Sequence, residues 1–382
     1  MIKICGVTFD HTTNYGSCFQ AYALGQTISN QMLDTEQCSY ELLPYYLWNK
    51  KENNQKPGSL SSRIKNLISR AIENIRRKQF IKFEKNYINY ANLSGIKDLS
   101  ELDEKYDAFV CGSDVIWSFD FTKGDPVYFL SFARKYKFSY AASFGVKNIF
   151  KDYEQDEDVV RNLFSGYLPT LNSISLREKS AVEQVKTITD KPCRVVCDPV
   201  FLLTANEWSR IYGDDKETVS DKYIFVYSTY ISPNLLNFVE KLHSQTGLRV
   251  IHVTWDKKEA IKHRLFVYPT PEQWLFLLKN AAYVVTNSFH ATAFCLLFHK
   301  IFYWVMKNQN VEGTGIRLFD LLESVGLKER IYNYTPEDIN LNTSDFTYAD
   351  KVIKAKREEG LNFIRENLTA AKRIRDGASA NF

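Results

Sequence analysis

The 382-residue chain has little net charge. Its 49 Lys and Arg against 45 Asp and Glu leave +4, too small a surplus for a general binder of polyanions, so no nucleic-acid partner is expected. It has no CxxC pair. Seven cysteines, an odd number, stand apart at Cys5, Cys18, Cys38, Cys111, Cys193, Cys197 and Cys295, so neither a disulfide framework nor a structural zinc knuckle is expected. It also lacks a run of about 18 to 20 apolar residues that could span a bilayer. The most apolar stretch, Trp274 to Val305, is interrupted by Lys279, Asn280, Asn287, His290, His299 and Lys300. The opening MIKICGVTFD reads as a strand rather than a secretory signal, and a reducing cytoplasm fits the free thiols. HExxH, EF-hand, Walker, GxGxxG and GxSxG patterns are all missing. That leaves no support for a metal site, a P-loop enzyme, an ordinary dinucleotide dehydrogenase or a serine hydrolase. No cofactor is expected.

Hydrophobic residues at 45% and charged residues at 25% suit a folded soluble domain, and the length suggests two. Short β-branched and aromatic runs alternate with helical patterns, which predicts an α/β fold built of βαβ units around mostly parallel sheets. Strands are expected at Ile2 to Phe9, Ala108 to Cys111, Phe138 to Ala142, Ser173 to Leu176 and Arg194 to Cys197. A second set follows at Tyr223 to Tyr227, Arg249 to Thr254 and Ala282 to Thr286, with helices at Pro233 to Thr246, Pro271 to Asn280, Phe289 to Phe298 and Arg317 to Val325. The polar stretch Gly213 to Asp221 has no apolar period and serves as the expected linker. The division is thus 1–213, 214–345, and a C-terminal helix with a short tail over 346–382 that packs back on the first domain. Between Leu60 and Lys85 one apolar stripe, including Ile75, Phe80 and Phe83, coincides with a concentration of basic residues. A solvated helix face is favoured there, with a peripheral membrane contact through Arg63 to Lys85 as the alternative.

In an open parallel sheet, ligands sit beyond the carboxyl ends of the strands, where loops and helix N-termini replace paired backbone. Polar residues gather at those ends. Asp10 to Ser17, with Asn14, Tyr15 and Gly16, follows the first strand. Gly112-Ser113-Asp114, Ser143-Phe144-Gly145, Arg177-Glu178 and Asp198-Pro199 follow later ones, and Thr286-Asn287-Ser288-Phe289-His290 leads into an apolar helix. Each is ordinary turn and cap chemistry by itself, but their repetition predicts one cleft. His290 at a helix start can bind an anion or move a proton, and Arg177 offers a planar fork for a carboxylate or phosphate unless it is only an ion-pair partner of Glu178 or Asp198. Arg317 can be delivered by its glycine-containing loop. His11 ranks low, as loop histidines are usually just exposed.

The segments TTNYGSCFQAYAL (12–24), YDAFVCGSDVIWS (106–118), FSYAASFG (138–145), ISLREKSA (174–181), CDPVFLL (197–203) and VVTNSFHATAFCLLF (284–298) resemble, in this order, the polysaccharide pyruvyl transferase family. The resemblance implies two facing Rossmann-like domains in the GT-B glycosyltransferase manner. It also implies transfer of a pyruvyl group from phosphoenolpyruvate to a sugar of a cell-surface glycan precursor, lipid-linked or not, as a cyclic ketal. By that likeness Arg177 matches the donor-binding arginine and His290 the catalytic histidine. Some members carry Arg two residues before that histidine. Here Ser288 stands instead, and Arg317 or Lys307 would supply the charge. Asn14, Tyr15, Gly16, Ser113, Asp114, Asn287, Ser288 and Arg317 are the expected substrate contacts, while Asp198 is expected to brace its loop. The alternatives are a nucleotide-sugar glycosyltransferase on the same fold and a catalytically silent sugar-phosphate binder.

Overall fold

The computed structural model describes residues 1–48, 60–212, 222–254, 268–306, 315–332, 339–342 and 344–377, with backbone alone for 47–48 and 60–73. The linker 213–221, Lys307 and the glycine-containing loop as far as Thr314 lie outside the described residues.

The first sheet begins with β1 (Ile2–Val7), β2 (Met32–Leu33), β3 (Glu36–Leu42), β4 (Ala108–Cys111) and β5 (Tyr136–Ser139), in the order β2-β3-β1-β4-β5. Only β2 pairs antiparallel. The β1, β4 and β5 runs are almost wholly buried, as strands covered by helices on both faces must be, and the expected β1 and β4 positions hold. The strand expected at Phe138 to Ala142 starts two residues earlier, at Tyr136, and leaves regular pairing after Ser139. Parallel bridges from Phe138 to Ser173 and from Ala142 to Leu176 then tie β5 to the pair β6 (Ile174–Leu176) and β7 (Cys193–Val195). The carboxyl ends of β1, β4, β5 and β6 therefore share one edge.

The second sheet contains β8 (Tyr223–Ser228), β9 (Arg249–Thr254), β10 (Tyr283–Thr286), β11 (Phe302–Val305) and β12 (Ile331–Tyr332), ordered β12-β11-β10-β8-β9 and parallel throughout. Its helices follow local signals closely. Pro233–Thr246 opens on the Ser232 cap with Pro at the first turn and closes on Gly247 at φ 66°. Pro271–Asn280 opens on a Thr270/Gln273 capping box. Phe289–Leu297 opens on Ser288.

Helix Tyr15–Ser29 of the first domain docks on Pro271–Asn280 and Phe289–Leu297 of the second through rings. Phe19 lies 5.2 Å from Phe294 and 5.6 Å from Trp274, and Tyr15 stacks on Trp274 at 5.3 Å. Such pairs contribute about 0.5 to 1.5 kcal/mol each beyond their burial, enough to fix how the two strand-end edges meet. The C-terminal helix Thr347–Arg375 lies on the first domain. Asn367 accepts from the Tyr136 hydroxyl at 3.0 Å, and the Arg357 Nε donates to the Phe201 carbonyl at 2.6 Å.

The basic helix spans Leu60–Tyr87. Phe80 and Phe83 are buried as expected, but Ile75 is 53% exposed and Arg76 takes the inward position, its Nη2 donating to the Thr13 carbonyl at 3.4 Å. Arg77 forms two hydrogen bonds with Glu84, at 2.7 and 2.6 Å. Ile75 thus departs from the expected stripe because the loop carbonyls beneath the helix select a donor there, and part of the basic charge is turned into the protein. Among the described residues no helix is long and apolar enough to cross a membrane, and no group of three or more His, Cys, Asp or Glu could hold a metal ion.

Candidate active site

In the first sheet the chain places β3 on one side of β1 and β4 on the other, which opens a crevice at their carboxyl ends. The second sheet has the same reversal between β8 and β10. Each crevice is closed locally by polar side chains. Asn14 caps its helix, its Oδ1 accepting from the Gly16 and Ser17 amides at 2.9 and 3.4 Å. Ser113 is fully buried. Its amide donates to Gln20 Oε1 at 3.1 Å and its hydroxyl to the Ala141 carbonyl at 2.8 Å. Asn287 accepts from the Thr229 amide at 2.8 Å and donates to the Tyr230 carbonyl at 2.8 Å, which joins the ends of β8 and β10. The Tyr15 hydroxyl donates to the Pro269 carbonyl at 2.7 Å. Ser288 accepts weakly from the Ala291 amide at 3.5 Å. Each of these five expected contacts has at least one polar side-chain or backbone atom held in local bonds at the strand ends.

Where the crevices face one another, Asp198 is the hub. One oxygen, Oδ1, braces the loop as expected by accepting from the Val200 amide at 3.0 Å. The other, Oδ2, receives Arg177 Nη1 at 2.6 Å and lies 3.3 Å from His290 Nε2, an inter-domain contact. All three side chains are withdrawn from water, with Asp198 at 0%, Arg177 at 3% and His290 at 10% exposure. Burial alone would raise the Asp198 carboxyl, but His290 and then Arg177 outweigh it and hold the group below the usual carboxylate range. Burial likewise works against the Arg177 charge, and Asp198, Asp114 and Glu178 more than compensate, so the guanidinium stays firmly protonated. Asp114 Oδ1 stands 3.8 Å from Arg177 Nη2, and its Oδ2 accepts from Ser17 Oγ at 2.5 Å.

Among the described residues Arg177 makes its one side-chain hydrogen bond through Nη1. Its Nε and Nη2, buried, have no hydrogen-bond partner among the described residues. These two nitrogens form one edge of the planar guanidinium, with parallel N–H bonds that match a carboxylate. Phe289 backs the group, its ring centre 5.0 Å from Cζ. An orphaned charged edge of this kind costs a few kcal/mol unless a ligand completes it. Asp198 thus takes one half of the fork by hydrogen bond, while the other half has only the Asp114 carboxylate at 3.8 Å and makes no hydrogen bond among the described residues.

Gly16 is required by approach. A Cβ there would stand 2.0 Å from His290 Nδ1, so glycine lets the helix Tyr15–Ser29 press directly on the imidazole. Beside this centre Glu178, Ser143 and the expected Arg317 come together, a grouping the strand-end residues alone do not reveal. Glu178, 3% exposed, takes the Ser143 hydroxyl on Oε1, and Oε2 has no partner among the described residues. Burial pushes its carboxyl above the usual range, against the pull of Arg177 and Ser143. Arg317 reaches across from helix Gly315–Ser324. Its Nη1 donates to Ser143 Oγ at 3.3 Å, and Nε stands 3.8 Å from Glu178 Oε1 with no hydrogen-bond partner among the described residues. Their sequence signal is position: Ser143 lies four residues past β5 and Glu178 two past β6, in the polar strand-end loops.

Two doubly wound, mostly parallel sheets whose carboxyl edges meet at Asp198 and His290 make this an α/β protein of facing Rossmann-like domains, the class expected from the sequence. The particular family follows from comparison. The sequence model described as polysaccharide pyruvyl transferase matches residues 14–306, and the chain belongs to that family. Comparison with curated proteins returns no match. Solved structures similar over nearly the whole chain include a UDP-N-acetylglucosamine 2-epimerase from Rickettsia bellii, with 10% identity, TM-score 0.47 and coverage of 98% of either chain. Another is the UDP-GlcNAc 2-epimerase from Neisseria meningitidis, with 10% identity, TM-score 0.43, and 98% and 99% coverage. The wall teichoic acid polymerase TagF also matches, at 10% identity and TM-score 0.44, over 97% of this chain and 83% of that one.

Proposed function

We propose that the protein transfers a pyruvyl group from phosphoenolpyruvate to two hydroxyls of a cell-surface glycan precursor, forming a cyclic ketal. The observation that carries this reading is the Nε/Nη2 edge of Arg177, which makes no hydrogen bond among the described residues while its Nη1 shares Asp198 Oδ2 with His290 of the other sheet. The donor's carboxylate takes that edge. Each charge-assisted hydrogen bond is worth about 1.5 to 3 kcal/mol. His290 delivers a proton to the methylene carbon, leaving an oxocarbenium-like centre at the neighbouring carbon. One sugar hydroxyl attacks there, phosphate departs, and the second hydroxyl closes the ring. One hydroxyl proton replaces that given to the methyl group and the other leaves on phosphate. Asp198 balances the imidazolium and holds Arg177 in register. The free N–H groups at the start of helix Phe289–Leu297, with Arg317, face the departing phosphate, and positioned donors of this sort stabilise shifting negative charge.

Phosphoenolpyruvate at 100 times its Kd should stabilise the protein by about 2.7 kcal/mol, roughly 3 °C in Tm for a chain of this length. Arg177→Lys, which keeps charge but loses the fork, should abolish most of that shift. A shift given by nucleoside diphosphate sugars and not by phosphoenolpyruvate would instead mark a glycosyltransferase.

A further inference from the structure

Half of the Glu178 carboxyl has no structural task. Glu178 stands at the residue before helix Lys179–Val185, from which a side-chain oxygen ordinarily caps the first turn, yet its side chain makes no capping bond. It turns to Ser143 instead, and Ser143 settles how it is held. The Ser143 hydroxyl oxygen accepts from the Gly145 amide at 3.2 Å and from Arg317 Nη1 at 3.3 Å, which fills both lone pairs, so its one hydrogen goes to Glu178 Oε1. Oε1 is therefore an acceptor, and Oε2 is the oxygen at which this acid gains or loses its proton. Oε2 is buried and has no hydrogen-bond partner among the described residues. The support is firm: Ser143 is 0% exposed, and its amide donates to the Asp114 carbonyl at 3.0 Å.

The charged groups around Glu178 are Arg177, which precedes it in the chain, and Arg317, whose Nε stands 3.8 Å from Oε1. Tyr153 is the other titratable neighbour. Its hydroxyl is pushed up by burial and by Glu178, and donates to the Phe144 carbonyl at 2.8 Å. At Glu178 burial outweighs the pull of Arg177 and Ser143 and holds the carboxyl above its ordinary range, which suits a group that gives up a proton and takes it back. With the donor's carboxylate on Arg177 and its phosphate before Arg317, the bond that must break spans the two arginines flanking this carboxyl.

We infer that Glu178 is a second catalytic residue of the reaction proposed above, the acid that releases phosphate and the base that closes the ring. Once His290 has protonated the methylene carbon and the first hydroxyl has added, the central carbon bears methyl, carboxylate, sugar oxygen and phosphate. Oε2 gives its proton to the oxygen joining carbon to phosphorus as that carbon–oxygen bond breaks, the electron pair staying with the phosphate. The second hydroxyl attacks the resulting cation and returns its proton to Oε2. The inference rests on the donor reading and divides the work: His290 serves the carbon and Glu178 the oxygens.

The test uses the full chain in heavy water with phosphoenolpyruvate and a panel of methyl hexopyranosides. It reads released phosphate and, by NMR, deuterium in the methylene of recovered phosphoenolpyruvate. Addition of the first hydroxyl can reverse until phosphate leaves, so an enzyme that protonates carbon but cannot expel phosphate returns labelled donor. Wild type should release phosphate with at least one panel member. Glu178→Gln keeps an oxygen for the Ser143 hydroxyl but cannot act as an acid, and it should release phosphate about 10² to 10⁴ times more slowly. It should still label the donor and keep the phosphoenolpyruvate thermal shift, whereas His290→Ala should lose label and release together. With the shift kept, release in Glu178→Gln within about ten-fold of wild type, or loss of label along with release, overturns the role of Glu178. Should the variant lose the shift, wild type decides alone. Its ratio of released phosphate to label should fall between about pH 5 and pH 8 as the acid gives up its proton, and an unchanging ratio overturns the assignment. Wild type that gives neither phosphate nor label, or label alone, overturns the donor reading instead.

Discussion

Gly16→Ala adds one methyl group where the first helix lies directly against His290. The new carbon would stand 2.0 Å from His290 Nδ1 and 2.4 Å from Cγ. Ordinary van der Waals contact begins near 3.4 Å, so the imidazole must retreat by about 1.4 Å. It has little room to do so, because its helix is packed through Phe294 on Phe19 and Trp208 at 5.2 and 4.9 Å. A misplacement of about 1 Å can lower turnover by roughly a hundred-fold, and loss of a correctly placed general acid removes about 10² to 10⁴. Arg177 is untouched by the change, so donor binding should survive. The helix itself gains, since Ala is favoured over Gly by about 0.5 to 1 kcal/mol in helical backbone. The assay is phosphate release from phosphoenolpyruvate with an acceptor glycan, alongside the donor's thermal shift. The expected result is at least a hundred-fold loss of turnover with the shift retained. Full turnover in Gly16→Ala would refute the role given to His290.

Asp198→Asn removes the carboxylate that pairs with the buried Arg177 guanidinium and contacts His290, so unfolding free energy should fall by about 3 to 5 kcal/mol in urea titrations at pH 7. Because the Asp198 carboxyl is depressed in the fold, its contribution is complete above the ordinary carboxylate value near 4 and is lost as pH falls through its lower folded value. The gap between wild type and Asp198→Asn should therefore shrink as pH falls below about 4, and a gap that stays constant through acid titration would contradict the assignment. Glu178 has the opposite sign. Its carboxyl is raised by burial, so its contribution is complete below about 4.3 and is lost as pH rises through the folded value. Thermal melts of Glu178→Gln should show the variant gaining on wild type between pH 5 and pH 8; a constant difference would count against this. Tyr15→Phe deletes the hydroxyl bonded to the Pro269 carbonyl and should reduce stability by about 1 kcal/mol, with turnover affected only through the inter-domain fit.

The α/β class and most strands of both sheets were legible because buried parallel strands read as continuous apolar runs, and the helices because Ser232, Thr270 and Ser288 mark their starts. β3 was not read, although Cys38, Tyr40 and Leu42 alternate inward, because Glu36, Gln37 and Glu41 between them suggest a polar segment. β11 was absorbed into an apolar stretch with no turn signal strong enough to divide it. In the site, residue types at strand ends pointed to Arg177 and His290. Their common partner was not visible as such: that Asp198 braces its loop with one oxygen and joins two domains with the other depends on distances between strands remote in sequence. The same holds for Glu178 with Arg317, and for His11, whose shelter comes from Tyr46 and Tyr90.

The most direct measurement is a crystal structure of the protein soaked with phosphoenolpyruvate. Its carboxylate should sit within 3.2 Å, roughly, of Arg177 Nε and Nη2, with the methylene carbon turned to His290. Donor density bound elsewhere, with that edge of Arg177 still open, would contradict the proposed chemistry.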